Sequence, residues 1–155
     1  MTEKSAPFDV KQANQWFAIE LNNLAWDLVE ADHLAEGDEI KLVHTAHAAC
    51  YHWAQIGKPI NQLRALVLLT TTYLKLKQAE NALRYAELTV SLLHECKDEI
   101  TPFDEVCVLG STMRSYEATK RHEKSEYYRC QAYEAINNIH EPDEKQIIEQ
   151  LYGLN

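Results

Sequence analysis

Residues 44–53 read HTAHAACYHW, gathering three of the chain's seven histidines with a cysteine, a tyrosine and a tryptophan. Imidazoles bind zinc or iron and exchange protons near neutral pH. A thiol close to an imidazole can become a nucleophile. Just upstream, Glu30 and His33 in EADH form a Glu-x-x-His pair of the kind that lines di-iron helical bundles. Across a helical hairpin, Glu30, His33, His44 and His47 make a conceivable metal set, and a metal-binding helical protein is the alternative reading. No HExxH string accompanies them.

Helical phase divides the cluster. At about 100° per residue, Val43, Ala46, His47, Cys50, Trp53 and Ala54 share the apolar side of one helix. His44 and Tyr51 fall at its edge, and His52 falls on the polar side with Lys41 and Thr45. Only His44 and His47, one turn apart, could chelate together. The expectation is therefore a core His47 with a hydrogen-bond partner, and His44 and Tyr51 packed against the next helix. Cys50 sits in mid-helix, away from the electropositive, accessible settings that make thiolates reactive. Gly-rich phosphate loops, GxSxG and GxGxxG are all absent from the sequence. Nothing argues for an enzyme, and no cofactor is expected.

The elements that carry these residues are helices. Hydrophobic residues make up 46% and charged residues 25% of the chain, a globular profile. Only 4 Gly and 4 Pro occur, too few for the tight turns of a sheet protein. A net charge of −9 opposes phosphate backbones and anionic membranes, so neither nucleic acid nor membrane is an expected partner. Lys120, Arg121, Lys124 and Arg129 alternate with Glu117, Glu123 and Glu126, which reads as a solvated helix face rather than a basic patch. Cys50, Cys96, Cys107 and Cys130 are scattered, and MTEKSAPFD has no apolar core; the expected compartment is the cytoplasm. No apolar run approaches the ~18 residues of a membrane span.

Residues 1–8 read as a loose leader and 9–155 as one helical domain of about six or seven helices. Asp9 caps a first helix to about Ala31. Its wheel gathers Phe17, Leu21, Leu24, Ala25, Leu28 and Val29 on one arc, with Glu20, Asn23, Asp27 and Glu30 on another. Asp38 caps a second helix ending at Gly57 as a left-handed stop. Pro59 opens a third to about Leu76, and after a break near Lys77 a fourth reaches about Cys96. Thr101 and Pro102 start a fifth to about Lys120, and a sixth spans about Glu123 to Ile139. Pro142 opens a terminal helix over 142–152, with Gly153 beyond it. The hairpins are thus about 9–57, 59–96 and 101–139.

The stretch ALVLLTTTYLKLKQAENALRYAELTVSL, residues 65–92, resembles a tetratricopeptide repeat. Leu66 stands at the large position, Leu69-Thr70 in place of Leu-Gly, and Tyr73 at the tyrosine. Ala82 stands at the small crossing position, Ala86 replaces the aromatic, Thr89 replaces a second alanine, and no proline closes the unit. Tyr116 to Ser125 repeats the nine-residue step from Tyr73 to Ala82, and Ala132 falls where Thr89 did. This copy lies 43 residues on, a longer period than the ~34 of the strict repeat. AHAACYHW followed by this unit is also similar to bacterial proteins of this type, a resemblance that implies a fold and no activity.

The resemblance implies a short right-handed α-solenoid binding a protein or peptide in a groove lined by the first helix of each pair. By position, that groove receives Arg64, Val67, Leu68, Thr71 and Lys75, with Glu20, Asn23 and Asp27 on the neighbouring wall. Val67, Leu68 and Thr71 replace the Lys and Asn of the carboxylate-clamp version, so a chaperone's terminal carboxylate is not the expected ligand. Arg64 and Lys75 point instead to an acidic peptide. An exposed end face leaves room for a homodimer, with Tyr127, Tyr128 and Tyr133 as candidate contacts.

Overall fold

The computed structural model describes residues 6–154, and the part of the expected leader over residues 1–5 lies outside the described residues. Seven α-helices, with no strand among the described residues, make an all-α fold: α1 (Val10–Glu30), α2 (Asp38–Ile56), α3 (Pro59–Lys75), α4 (Ala79–Leu93), α5 (Pro102–Ala118), α6 (His122–Ile136) and α7 (Pro142–Tyr152).

Local chemistry explains most of the boundaries. The Asp9 carboxylate accepts from the Gln12 N–H at 3.0 Å and satisfies a donor at the start of α1. Thr101 and Asp104 form a reciprocal capping box. The Thr101 hydroxyl accepts from the Asp104 N–H, and the Asp104 carboxylate accepts from the Thr101 N–H. Pro142 sits in the first turn of α7, and Gly153 follows its last turn at φ 68°, the usual placing of these two residues at helix ends.

Three expected helix ends differ. The cap of α2 is Gly37, left-handed at φ 86°, while Asp38 is already helical and accepts from the Ala35 N–H. Gly57 is extended (φ −79°, ψ 157°) rather than left-handed. Its missing Cβ serves close approach instead. One built there would lie 2.6 Å from the Trp53 carbonyl oxygen and 2.9 Å from Asn61 Cβ. The expected fourth helix to Cys96 resolves into α4 and a 3₁₀ turn, His94–Cys96, a common tightening at a helix end.

The repeat seen at three positions in the sequence extends through the whole of two hairpins. α3 and α5 each have 17 residues and α4 and α6 each have 15, and every helix start and end is displaced by 43 positions. The turns match atom for atom. Lys77 (φ 57°) and Lys120 (φ 59°) are both left-handed. In both turns the next N–H returns to a tyrosine carbonyl at 2.9 Å, Gln78 to Tyr73 and Arg121 to Tyr116. This is the long bond of a Schellman motif. Behind each turn two tyrosines stack, Tyr73 on Tyr85 at 5.6 Å and Tyr116 on Tyr128 at 5.5 Å, within the range of favourable ring pairs. Ala82 and Ser125, small residues at the equivalent place in α4 and α6, are both buried, and the Ser125 hydroxyl donates to the Met113 carbonyl of α5. The α1–α2 hairpin has a longer connection over residues 31–37 and lacks this stack.

Each hairpin packs on the next: α2 touches α3, α4 touches α5, and α3 lies between α1 and α5. One apolar cluster joins α1 through α4 around Leu42, Leu68, Leu69 and Tyr73. A second joins α3 and α5 through α7 around Leu63, Val106, Met113 and Ile148. Trp26 and Leu151 border both clusters.

Candidate binding face

α1, α3 and α5 lie side by side, and α7 covers part of the face they form. Ile148, Tyr152 and Leu154 are the fully buried side chains that hold α7 there. The Tyr152 ring rests on Gly110 of α5, where a Cβ would come within 2.8 Å of two ring carbons. Its hydroxyl lies 3.3 Å from the Thr71 hydroxyl of α3, and Cys107 is buried in the same cluster. Burial pushes the ionisation of both Tyr152 and Cys107 well upward. Each therefore stays protonated and serves packing rather than nucleophilic chemistry.

Two clefts remain beside α7. The larger, about 970 Å³, opens between the C-terminal ends of α1, α3 and α5, with Thr71, Lys75, Arg114 and Glu117 on its walls. The smaller, about 660 Å³, is lined by Trp26, Trp53 and Phe103 together with Glu30, Arg64, Asp104 and Glu144. Glu30, Ile147 and Leu151 border both.

The residues expected to line the groove are partly redistributed by this packing. Arg64 and Val67 face the smaller cleft, and Thr71 and Lys75 the larger. Leu68 is buried in the cluster shared by the first four helices and lines neither. Arg64 grips Asp104 with both arms of its guanidinium, Nε at 2.7 Å and a terminal nitrogen at 2.8 Å, the geometry of a strong two-pronged ion pair. Burial alone would raise the Asp104 pKa, but bonds from Arg64 and Thr101 outweigh it and leave the carboxyl below its ordinary range, since they favour the charged form. Lys75 donates to the Ala31 carbonyl at the end of α1. Both cations expected to recruit an acidic peptide thus have internal acceptors. Glu20, Asn23 and Asp27 are exposed and line neither cleft. The wall from α1 is instead Asn22, Trp26 and Glu30, because Ala18, Ala25 and Val29 set the buried seam and turn the acidic row outward.

Phe103, Glu144, Ile147 and Leu151 were not legible as site residues. For Ile147 and Leu151 the one signal is the apolar pattern Ile147, Ile148, Leu151, Tyr152 in the terminal helix, which marks an amphipathic helix without saying what it covers.

The histidines are separated. His47 Nε2 lies 2.8 Å from the Tyr73 hydroxyl, and the ring sits edge-on to Tyr73 and Tyr85. Burial, then the charge of His44, lowers its pKa, as both disfavour the protonated ring. His44 and Tyr51 are exposed. His52 does not face the polar side as its phase suggested: Nδ1 lies 2.7 Å from Asn14 Oδ1, and the ring stacks on Phe17 at 5.2 Å. Thr45, expected beside it, is buried. α2 packs against both α1 and α3, so it has two buried seams, whereas a single-seam wheel allows one. Among the described residues no group of three or more His, Cys, Asp or Glu side chains comes together to hold a metal ion, so Glu30, His33, His44 and His47 do not assemble into the conceived set. Burial raises the pKa of the Cys50 thiol, against a nucleophilic role.

Of the interleaved charges, Arg129 pairs with Glu117 and Glu126, Arg121 pairs instead with Glu80 of α4, and Lys120, Lys124 and Glu123 are exposed, as on a solvated face. No helix among the described residues is long and apolar enough to cross a membrane. No family model, no curated protein and no solved structure matches the chain.

Proposed function

We propose that the chain is a non-catalytic, tetratricopeptide-like interaction module of the bacterial cytoplasm that binds a segment of a partner protein on the face shared by α1, α3, α5 and α7. The observation that carries this reading is the pair of clefts, about 970 and 660 Å³, flanking a helix already seated on that face. The surface holds α7 through three buried side chains. With open, mixed polar and apolar space still on both sides, it suits an added peptide segment. The 43-residue hairpin repeat supports the likeness to helical-repeat binders, and the scattered cysteines support a reducing compartment.

Ile147 is the side chain to test. It is 36% exposed, borders both clefts and contributes little to the core. With a partner in hand, Ile147→Asp should weaken binding at least roughly tenfold, or about 1.4 kcal/mol, while thermal unfolding stays within about 0.5 kcal/mol of the parent. Tyr133→Asp on α6, away from both clefts, is the control. Binding that survives the first change and fails with the second would move the partner to another surface.

A further inference from the structure

The smaller cleft has a chemistry of its own, and reading it as a ligand site rests on the proposed role of this face. Its apolar walls are aromatic: Trp26 from α1, Trp53 from α2 and Phe103 from α5. Its charges are Glu30, Asp104 and Glu144 against Arg64. Asp104 and Arg64 neutralise each other through their two-armed bond, which removes the one cation. Glu30 and Glu144 are left. Neither side chain makes a hydrogen bond or ion pair among the described residues, and Glu144 is half-buried.

Two carboxylates without a charged partner, Glu30 exposed and Glu144 half-buried, give the cleft a negative potential beside its aromatic faces, which a cation would meet on entry. The larger cleft lacks this bias. There three cations, Lys75, Lys77 and Arg114, stand with Asp32, Glu117 and Glu30, the last shared by both clefts, and Arg114 is already paired with Glu117.

We infer that the smaller cleft receives a basic side chain of the partner segment, an arginine, held by Glu30 and Glu144 against Trp26, Trp53 and Phe103. A guanidinium suits these walls better than an ammonium, since its plane stacks on an indole while its edge bonds a carboxylate. A cleft of about 660 Å³ takes one such side chain with its flanking backbone. The chain's net charge of −9 also favours encounter with a basic segment. This reverses the polarity that Arg64 and Lys75 suggested from sequence, because both of those cations are already used inside the fold.

The test uses the full chain and a capped Ala-Gly-Arg-Gly-Ala peptide, followed by NMR of the three indole N–H signals. The Trp26 and Trp53 signals should shift with added peptide and that of exposed Trp16 should not. Glu30→Gln combined with Glu144→Gln should weaken the effect roughly tenfold. Added salt should weaken it as well. Glutamine in place of arginine in the peptide should abolish it. No shift at Trp26 and Trp53 up to millimolar peptide, or a shift indifferent to the double substitution, overturns the inference. If a leucine or glutamate analogue moves those two indoles where arginine does not, the inference fails and the proposed face stands. If none of the peptides moves them, but the Ile147→Asp protein has lost its partner, the face again stands without this ligand.

Discussion

Asp104 shows how much a single side chain can hold. It caps α5, accepts both arms of Arg64 and takes the Thr101 hydroxyl at 2.8 Å, while being almost fully buried. Arg64 is half exposed and can rehydrate, so the loss on Asp104→Ala is set by the cap and the buried carboxylate's bonds. Urea unfolding at neutral pH should show a loss of about 2 kcal/mol. The pH dependence has a definite sign. The folded-state pKa is depressed, so the carboxylate's contribution is complete above the ordinary aspartate range of about 4. It is lost as the pH falls through the lower folded value, and the gap between parent and variant should narrow there. His47 behaves in the corresponding way for a base. Burial keeps it neutral, and an NMR titration should place its midpoint below the ordinary histidine value of about 6.5. The cap at Thr101 and Pro102 was legible in the sequence because capping is local. The Arg64–Asp104 bond, like that of His47 with Tyr73, joins different helices and was not.

At the scale of elements, the hairpin turns carry stored cost. Lys77 and Lys120 adopt the left-handed conformation normally given to glycine, which opposes folding by about 1 kcal/mol at each site. Lys120→Gly should therefore stabilise the chain by up to about 1 kcal/mol, less the extra freedom glycine gains when unfolded. Denaturant unfolding of Lys120→Gly checks this; a loss of stability would mean that the lysine side chain itself supports the turn. Gly110 carries the opposite expectation. Alanine is the better helix former by about 1 kcal/mol. Yet its Cβ would lie 2.8 Å from the ring of Tyr152, which is fully buried and cannot swing aside. Overpacking should win, destabilising Gly110→Ala by about 1–2 kcal/mol net, and amide exchange should quicken first in α7. Helix number and most helix boundaries were readable from caps, prolines and apolar spacing. The full 43-residue repeat was not, because the two copies keep a few matched residues near their turns, such as Tyr73 and Tyr116 or Lys77 and Lys120, and differ at most other positions, as in Ala82 against Ser125.

For the whole molecule, the main departure from the sequence reading is what α7 does. Apolar spacing marked it as amphipathic, but its docking on α3 and α5 depends on residues far away in the chain, Thr71, Cys107 and Gly110. It covers part of the expected groove, splits the remaining space in two and adds Glu144 and Ile147 to the walls. The central claim is that partners bind this composite face. A photo-crosslinking residue placed at position 147, and separately at position 133, tests it most directly when each protein is irradiated with a partner recovered by the unmodified chain. The account predicts a covalent adduct from position 147 and none from position 133. Adducts from 133 alone would contradict it.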